Sequence, residues 1–189
     1  MIAVFDDFIK DQLLLNEISD DQSLWSRTGD YKYWKGWWNV DPKNSAQRLI
    51  QYIWRDNIPI NLNLNIDGFE YWTGMQSAEI EGRRNYLERH FDDDVEYRKH
   101  TGNRMFPVLG CVYYPIGSNF SGGDLAIYTE GEDKSPEVIK SLPNRLVIFN
   151  PDRYIHEVLE VTEGTRRAIA INLWDREPWS IGAGYIKIE

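Results

Sequence analysis

Four side chains in this sequence have types and spacing that could do chemistry together. His90 and Asp92 stand two residues apart, His156 follows sixty-six residues after His90, and Arg166 comes ten later. Two imidazoles and one carboxylate can occupy one face of an octahedral iron and leave the opposite positions open to other ligands. An arginine near such a centre offers a planar fork that matches a carboxylate at two points.

Local structure must bring these groups together. If Tyr86–Asp92 is a strand, residues 86, 88, 90 and 92 share one face, and His90 and Asp92 point the same way. A helix would set them about 200° apart. Asp93 and Asp94 follow directly, so the carboxylate could be any of three; strand parity favours Asp92 over Asp93, and proximity favours it over Asp94. The plain alternative for this segment is a hydrated acidic turn.

The second half supplies a strand pair. Leu146–Phe149 is a short apolar run, and Asn150-Pro151-Asp152 has turn chemistry. His156 opens a run with period-two pattern, Thr162-Glu163-Gly164 reads as a turn, and Thr165–Trp174 as a further strand. On that strand Arg166, Ala168, Ala170 and Asn172 share one face, while Arg167, Ile169, Ile171 and Leu173 share the other. An arginine on a face of small residues fits a narrow cavity with a cation at one end. The alternatives are an arginine paired with an internal acid or one exposed at a sheet edge.

The sequence around these positions resembles the Fe(II)- and 2-oxoglutarate-dependent dioxygenases, in their prolyl 4-hydroxylase-like branch. The resemblance rests on Arg89-His90-Phe91-Asp92, Cys111-Val112-Tyr113-Tyr114, Phe120–Leu125, Asn144–Phe149, His156-Glu157-Val158 and Gly164–Ile169, and it covers about residues 68–176. It implies that His90, Asp92 and His156 ligate Fe(II). It further implies that Arg166 pairs with the distal carboxylate of 2-oxoglutarate, to which Tyr114 donates a hydrogen bond. Ascorbate belongs to the implied cofactor set. Where that branch has Tyr-Leu-Asn, this chain has Tyr114-Pro115-Ile116, and the proline ends or bends the strand there. Halogenating relatives have a small residue at the carboxylate position, so Asp92 points to hydroxylation. The implied fold is mainly β with flanking α, a jelly-roll double-stranded β-helix supported by N-terminal helices.

Composition fits a compact enzyme and narrows its partners. Asp and Glu outnumber Lys and Arg by 30 to 21, a net charge of −9. That field repels nucleic acid and anionic membranes. Nucleic acid is further disfavoured by the lack of a second arginine at the spacing seen in dealkylating relatives. No apolar run spans a bilayer and the N-terminus lacks a signal pattern, so the expected location is the cytoplasm. The single Cys111 is expected to pack inside a strand.

Residues 1–67 are expected to form a helical, aromatic flank packed on a core of residues 68–189. The flank reads as a strand over Met1–Phe8, a helix over Lys10–Asp20 with Leu13, Leu14 and Ile18 inward, and a helix from Asn44 or Ser45 to about Arg55. Six of eight tryptophans lie before residue 75, densest over Tyr31–Trp38. They serve either as a substrate-facing wall or as packing against the sheet. Tyr71 or Trp72 could border the pocket. His100 reads as a solvated loop residue, and Ser121-Gly122-Gly123 as a turn between strands.

Three functions fit. The first is hydroxylation of a protein or peptide residue, proline foremost, with dioxygen consumed and succinate and carbon dioxide released. The second is the same chemistry on a free amino acid or other small molecule. The third is a non-catalytic, metal-containing jelly-roll binding module. A zinc hydrolase would use His, Asp and His but leave Arg166 unexplained.

Overall fold

The computed structural model describes residues 1–26, 29–36, 40–58 and 65–189. Trp37 and Trp38, in the densest part of the tryptophan cluster, lie outside the described residues.

The chain opens with β1 (Ile2–Phe5), followed by helix α1 (Gln12–Asp20) and the short helix α2 (Gln22–Trp25). Asp11 caps α1 by accepting from the amides of Leu13 and Leu14, a contact that typically contributes ~1 kcal/mol. The inward face of α1 is Leu14, Leu15 and Ile18; Leu13, expected inward, is 81% exposed. At a 3.6-residue period, Leu15 and Ile18 stack on one side and leave Leu13 on the other. Next come β2 (Tyr31–Lys35) and α3 (Ser45–Gln51), capped by Asn44, which accepts from the Gln47 amide. The helix continues past Gln51 as a wider π-helical turn, Tyr52–Asn57, so its length matches the sequence reading but its last turns do not.

From there β3 (Gly68–Ser77), β4 (Leu87–His90), α4 (Val95–Thr101), β5 (Leu109–Tyr114), β6 (Phe120–Gly122) and β7 (Leu125–Tyr128) follow. The chain ends with β8 (Glu137–Ile139), β9 (Arg145–Phe149), β10 (Ile155–Val158), β11 (Val161–Trp174), α5 (Trp179–Gly182) and β12 (Ile186–Ile188). The main sheet runs β1-β9-β5-β11-β3-β2-β12, with β6 also pairing with β11, and a smaller sheet runs β4-β10-β7-β8.

Alternation along the strands decides what each face does. Phe69 and Tyr71 of β3, Cys111 and Tyr113 of β5, Leu146 and Ile148 of β9, and Ile169, Ile171 and Leu173 of β11 pack in one cluster. Trp25, Leu49, Ile53 and Trp54 of the helical flank join them. A fully buried Leu or Ile stabilises by ~1.5–3 kcal/mol, so this layer holds the helices to the sheet. Intervening residues Tyr114, Val147, Phe149 and Ala168 meet Leu125, Ile127 and Ile139 of the smaller sheet. The fold is therefore a jelly roll, mainly β, with its helices on the outer face of the main sheet. Tyr71, Trp25, Trp34 and Trp54 are core residues.

Two further local expectations fail. Thr162-Glu163-Gly164 is not a turn: β11 runs through it, with a register shift between Val161 and Glu163 opposite β6. Gly164, at φ +67°, accommodates the irregularity inside the strand. His100 is not in a loop; it occupies the last turn of α4, which Gly102 closes in the left-handed conformation.

Candidate metal centre

His90 ends β4 and His156 lies on β10, directly opposite it in the antiparallel pair. Their rings stand 4.4 Å apart between centroids, at 55°. Each Nδ1 faces a backbone carbonyl, that of Glu88 at 2.7 Å and that of Tyr154 at 3.3 Å. A proton on Nδ1 satisfies those carbonyls and leaves both Nε2 atoms free as ligands. Neither Glu88 nor Glu157, the nearest acids in sequence, fills this role through its side chain; Glu157 is engaged with Arg89 and Tyr128.

Asp92 lies beyond the end of β4, so strand parity is not what orients it. Its Oδ1 lies 3.6 Å from His90 Nε2 and its Oδ2 3.8 Å from His156 Nε2. Ligand atoms of all three residues fall within 4.8 Å of one another, close enough to share one ion. The other two carboxylates of the triplet are used differently. Asp93 pairs with Arg98 at 3.2 Å. Asp94 caps α4 through the Tyr97 amide and accepts from the Ser180 amide and hydroxyl.

Burial opposes ionisation of Asp92, but the facing imidazoles outweigh it and hold the carboxyl below its usual range. At His90 burial is likewise outweighed, here by Asp92, and its pKa rises; at His156 burial prevails and its pKa falls. Phe149 packs edge-on against the His156 ring at 4.8 Å, which limits its rotation. The donor set, two imidazole nitrogens and a carboxylate with free positions around them, suits a divalent iron.

A cavity of about 290 Å³ opens from the triad toward Arg166 and is lined by Gly74, Gln76, Ala168 and Ala170. Arg166 is 2% exposed. Its partners are all neutral: Gln76 Oε1 at 2.6 Å, Ser141 Oγ at 3.4 Å, Tyr114 OH at 3.4 Å, and the Tyr114 ring 5.0 Å from the guanidinium. No carboxylate pairs with it among the described residues, and it is not at an exposed edge, so both plain alternatives for this arginine are removed. A buried cation with no counter-ion carries a large desolvation cost unless an anion joins it. The approach of Arg166 depends on Gly123: a Cβ there would come within 2.8 Å of the arginine Cδ. Tyr114 ends β5, as the following proline requires, and is buried beside Arg166.

A second, larger cleft of about 840 Å³ shares Tyr31, Trp72, Leu87, His90 and Asp92 with the first. Trp72 packs against Tyr31 with ring centroids 4.9 Å apart and the planes tilted by 37°. Trp72 thus borders the site while Tyr71 does not. Sequence reading had not singled out Gln76 and Glu70. Both share the inward face of β3 with Trp72, a parity visible once one residue of that strand is placed.

Residues 75–174 match the 2OG-Fe(II) oxygenase superfamily. Among curated proteins, none matches the chain in sequence. Solved structures do match in shape. A Pseudomonas putida prolyl-4-hydroxylase is 16% identical with a TM-score of 0.64, covering 93% of this chain and 85% of its own. A Trichoplax adhaerens prolyl hydroxylase, solved with a peptide fragment of the hypoxia inducible factor oxygen degradation domain, is 18% identical with a TM-score of 0.57, covering 95% and 86%. A Burkholderia pseudomallei oxidoreductase of the 2OG-Fe(II) oxygenase family is 11% identical with a TM-score of 0.54, covering 94% and 86%.

Proposed function

The chain belongs to the 2OG-Fe(II) oxygenase superfamily, and from that premise we propose that it hydroxylates a C–H bond of a protein or peptide residue, proline foremost, at a centre held by His90, Asp92 and His156. It is a 2-oxoglutarate-dependent dioxygenase, and Fe(II) and 2-oxoglutarate are its cofactor and co-substrate. The observation that carries the site assignment is Arg166, a buried cation with no counter-ion among the described residues, in the same cavity as the triad.

Bound together, Fe(II) and 2-oxoglutarate supply the oxidising chemistry with dioxygen and give succinate and carbon dioxide. The protein supplies position and exclusion of water. The carbonyls of Glu88 and Tyr154 fix the tautomers of the two histidines, so each presents Nε2 to the metal. Arg166, with Tyr114 beside it, takes the distal carboxylate of the co-substrate, and Ala168 and Ala170 leave room for its short chain. Gln76 keeps the guanidinium aimed while the anion is absent.

The peptide reading draws on the large cleft beside the triad and on the peptide held by the Trichoplax enzyme. Gly29 and Tyr31 of the flank line that cleft, so we take residues 1–67 and 68–189 as one catalytic unit. No helix among the described residues is long and apolar enough to cross a membrane.

The test is anaerobic visible absorption on adding Fe(II) and then 2-oxoglutarate, followed by a screen of proline-containing peptides against free amino acids. A weak charge-transfer band, and succinate release coupled to a peptide, are expected. A folded protein with no band would overturn the site assignment. Coupling to free amino acids alone would favour the small-molecule reading.

A further inference from the structure

The inward face of the β3–β11 pair has two chemically opposite ends. In register, Arg166 faces Gln76, Ala168 faces Gly74, Ala170 faces Trp72, and Asn172 faces Glu70. Arg166 and Asn172 are six residues apart, about 20 Å along a strand. The cation thus stands at one end and a carboxylate at the other, and Asp92 of the metal cluster is hydrogen-bonded to Asn172 at the carboxylate end.

Glu70 is 7% exposed and lines the larger cleft. Its Oε2 accepts from Trp174 Nε1 at 3.0 Å and from Asn172 Nδ2 at 3.4 Å. Its Oε1 accepts no hydrogen bond among the described residues, and no lysine or arginine there pairs with it. Burial pushes its carboxyl up to about 7, against the hydrogen bonds from Trp174 and Asn172, and the charges of Asp92 and Asp94 add to the rise. Buried carboxylates are ordinarily paired with a cation, and this one, held by two neutral donors, has no cationic partner among the described residues.

The basic residues lining the cleft do not serve Glu70. Arg98 pairs with Asp93, Lys99 with Glu96, Arg89 with Glu157, and Arg104 lies over the Phe91 ring. Beside Glu70 on the same strand face is Trp72, packed against Tyr31, and aromatic faces attract cations as well as alkyl stems.

We propose that Glu70, with the Tyr31–Trp72 face, is a substrate-binding subsite for a cationic group, an ammonium or guanidinium placed near the C–H bond to be hydroxylated. Its source is a lysine or arginine side chain next to the target residue of a peptide, or the same group on a free amino acid. The subsite deepens the function proposed above and rests on it.

The experiment uses the protein loaded with Fe(II) and 2-oxoglutarate without dioxygen, titrated by calorimetry with n-butylguanidinium and with its neutral counterpart N-butylurea. The cation is expected to bind and the urea to bind at least roughly tenfold more weakly, a preference that Glu70→Gln abolishes. Glu70→Gln keeps an acceptor for Trp174; if it fails to fold, Trp72→Leu is expected to weaken cation binding by a similar factor. In air, pentapeptides with central proline flanked by lysine, alanine or glutamate are compared with free L-lysine and L-arginine. A lower KM for the lysine peptide, lost in Glu70→Gln, assigns the cation to a peptide; coupling to the free amino acids assigns it to a small molecule. Equal binding of cation and urea, or an unchanged preference in folded variants, overturns the subsite. The charge-transfer band keeps the two proposals apart: its absence overturns the oxygenase site, whereas its presence without a cation preference overturns the Glu70 subsite alone.

Discussion

His90 and His156 sit directly across from each other on β4 and β10, and the Asp92 carboxylate reaches both rings from outside the strand. The ion-binding face is therefore assembled from two strands and one loop, and each part can be removed separately.

Replacing His156 by Ala should abolish the stabilisation that Fe(II) gives. A ligand at a hundred times its dissociation constant stabilises the folded state by ~2.7 kcal/mol, seen as a rise in Tm. Anaerobic thermal melts with and without Fe(II) check this: wild type should shift and His156→Ala should not.

Arg166→Met should separate binding from stability. Loss of a charge-assisted pair costs ~1.5–3 kcal/mol, so the variant should need ten- to more than a hundredfold more 2-oxoglutarate. Without co-substrate, its resistance to urea should equal or exceed that of wild type, because an uncompensated buried charge has gone. Urea titrations beside 2-oxoglutarate titrations decide it.

Gly123→Ala should cost stability and co-substrate affinity together. The position has φ +69°, where a side chain costs ~1–2 kcal/mol, and its Cβ would collide with Val161 and the Arg166 stem at 2.8 Å. Denaturant midpoints and 2-oxoglutarate titration of the variant read the two losses.

The metal-free protein should carry a pH signature from Glu70. Burial raises its carboxyl from 4.5 to about 7, so between these values the folded state holds a proton that the unfolded state has lost. Stability from this group is then full below pH 4.5 and falls as pH rises toward 7, by up to ~3 kcal/mol. Glu70→Gln should remove that slope, measured as the difference between the two proteins in urea at pH 5 and pH 7.5.

The alternation of β11 was readable because one face packs on helices and the other lines a cavity, and Arg166 through Asn172 follow it residue by residue. The division of labour among Asp92, Asp93 and Asp94 was not. It depends on where β4 stops and where α4 begins, and on Arg98 and Ser180 arriving from elsewhere. Gly164 misled because a glycine with positive φ can end a strand or kink one, and only pairing with β6 decides between them. The carbonyls of Glu88 and Tyr154 carry no side-chain signature at all. Glu70 and Gln76 gain their meaning from register with β11, which no local pattern encodes.

The long separation of His90 from His156 also bears on how the chain folds. The two meet only when β4 closes onto β10, a contact across sixty-six residues whose loop-closure entropy must be met before the pairing rewards it. Until that step the chain has no complete place for a metal. Iron supplied during refolding should therefore leave the folding rate unchanged and slow unfolding.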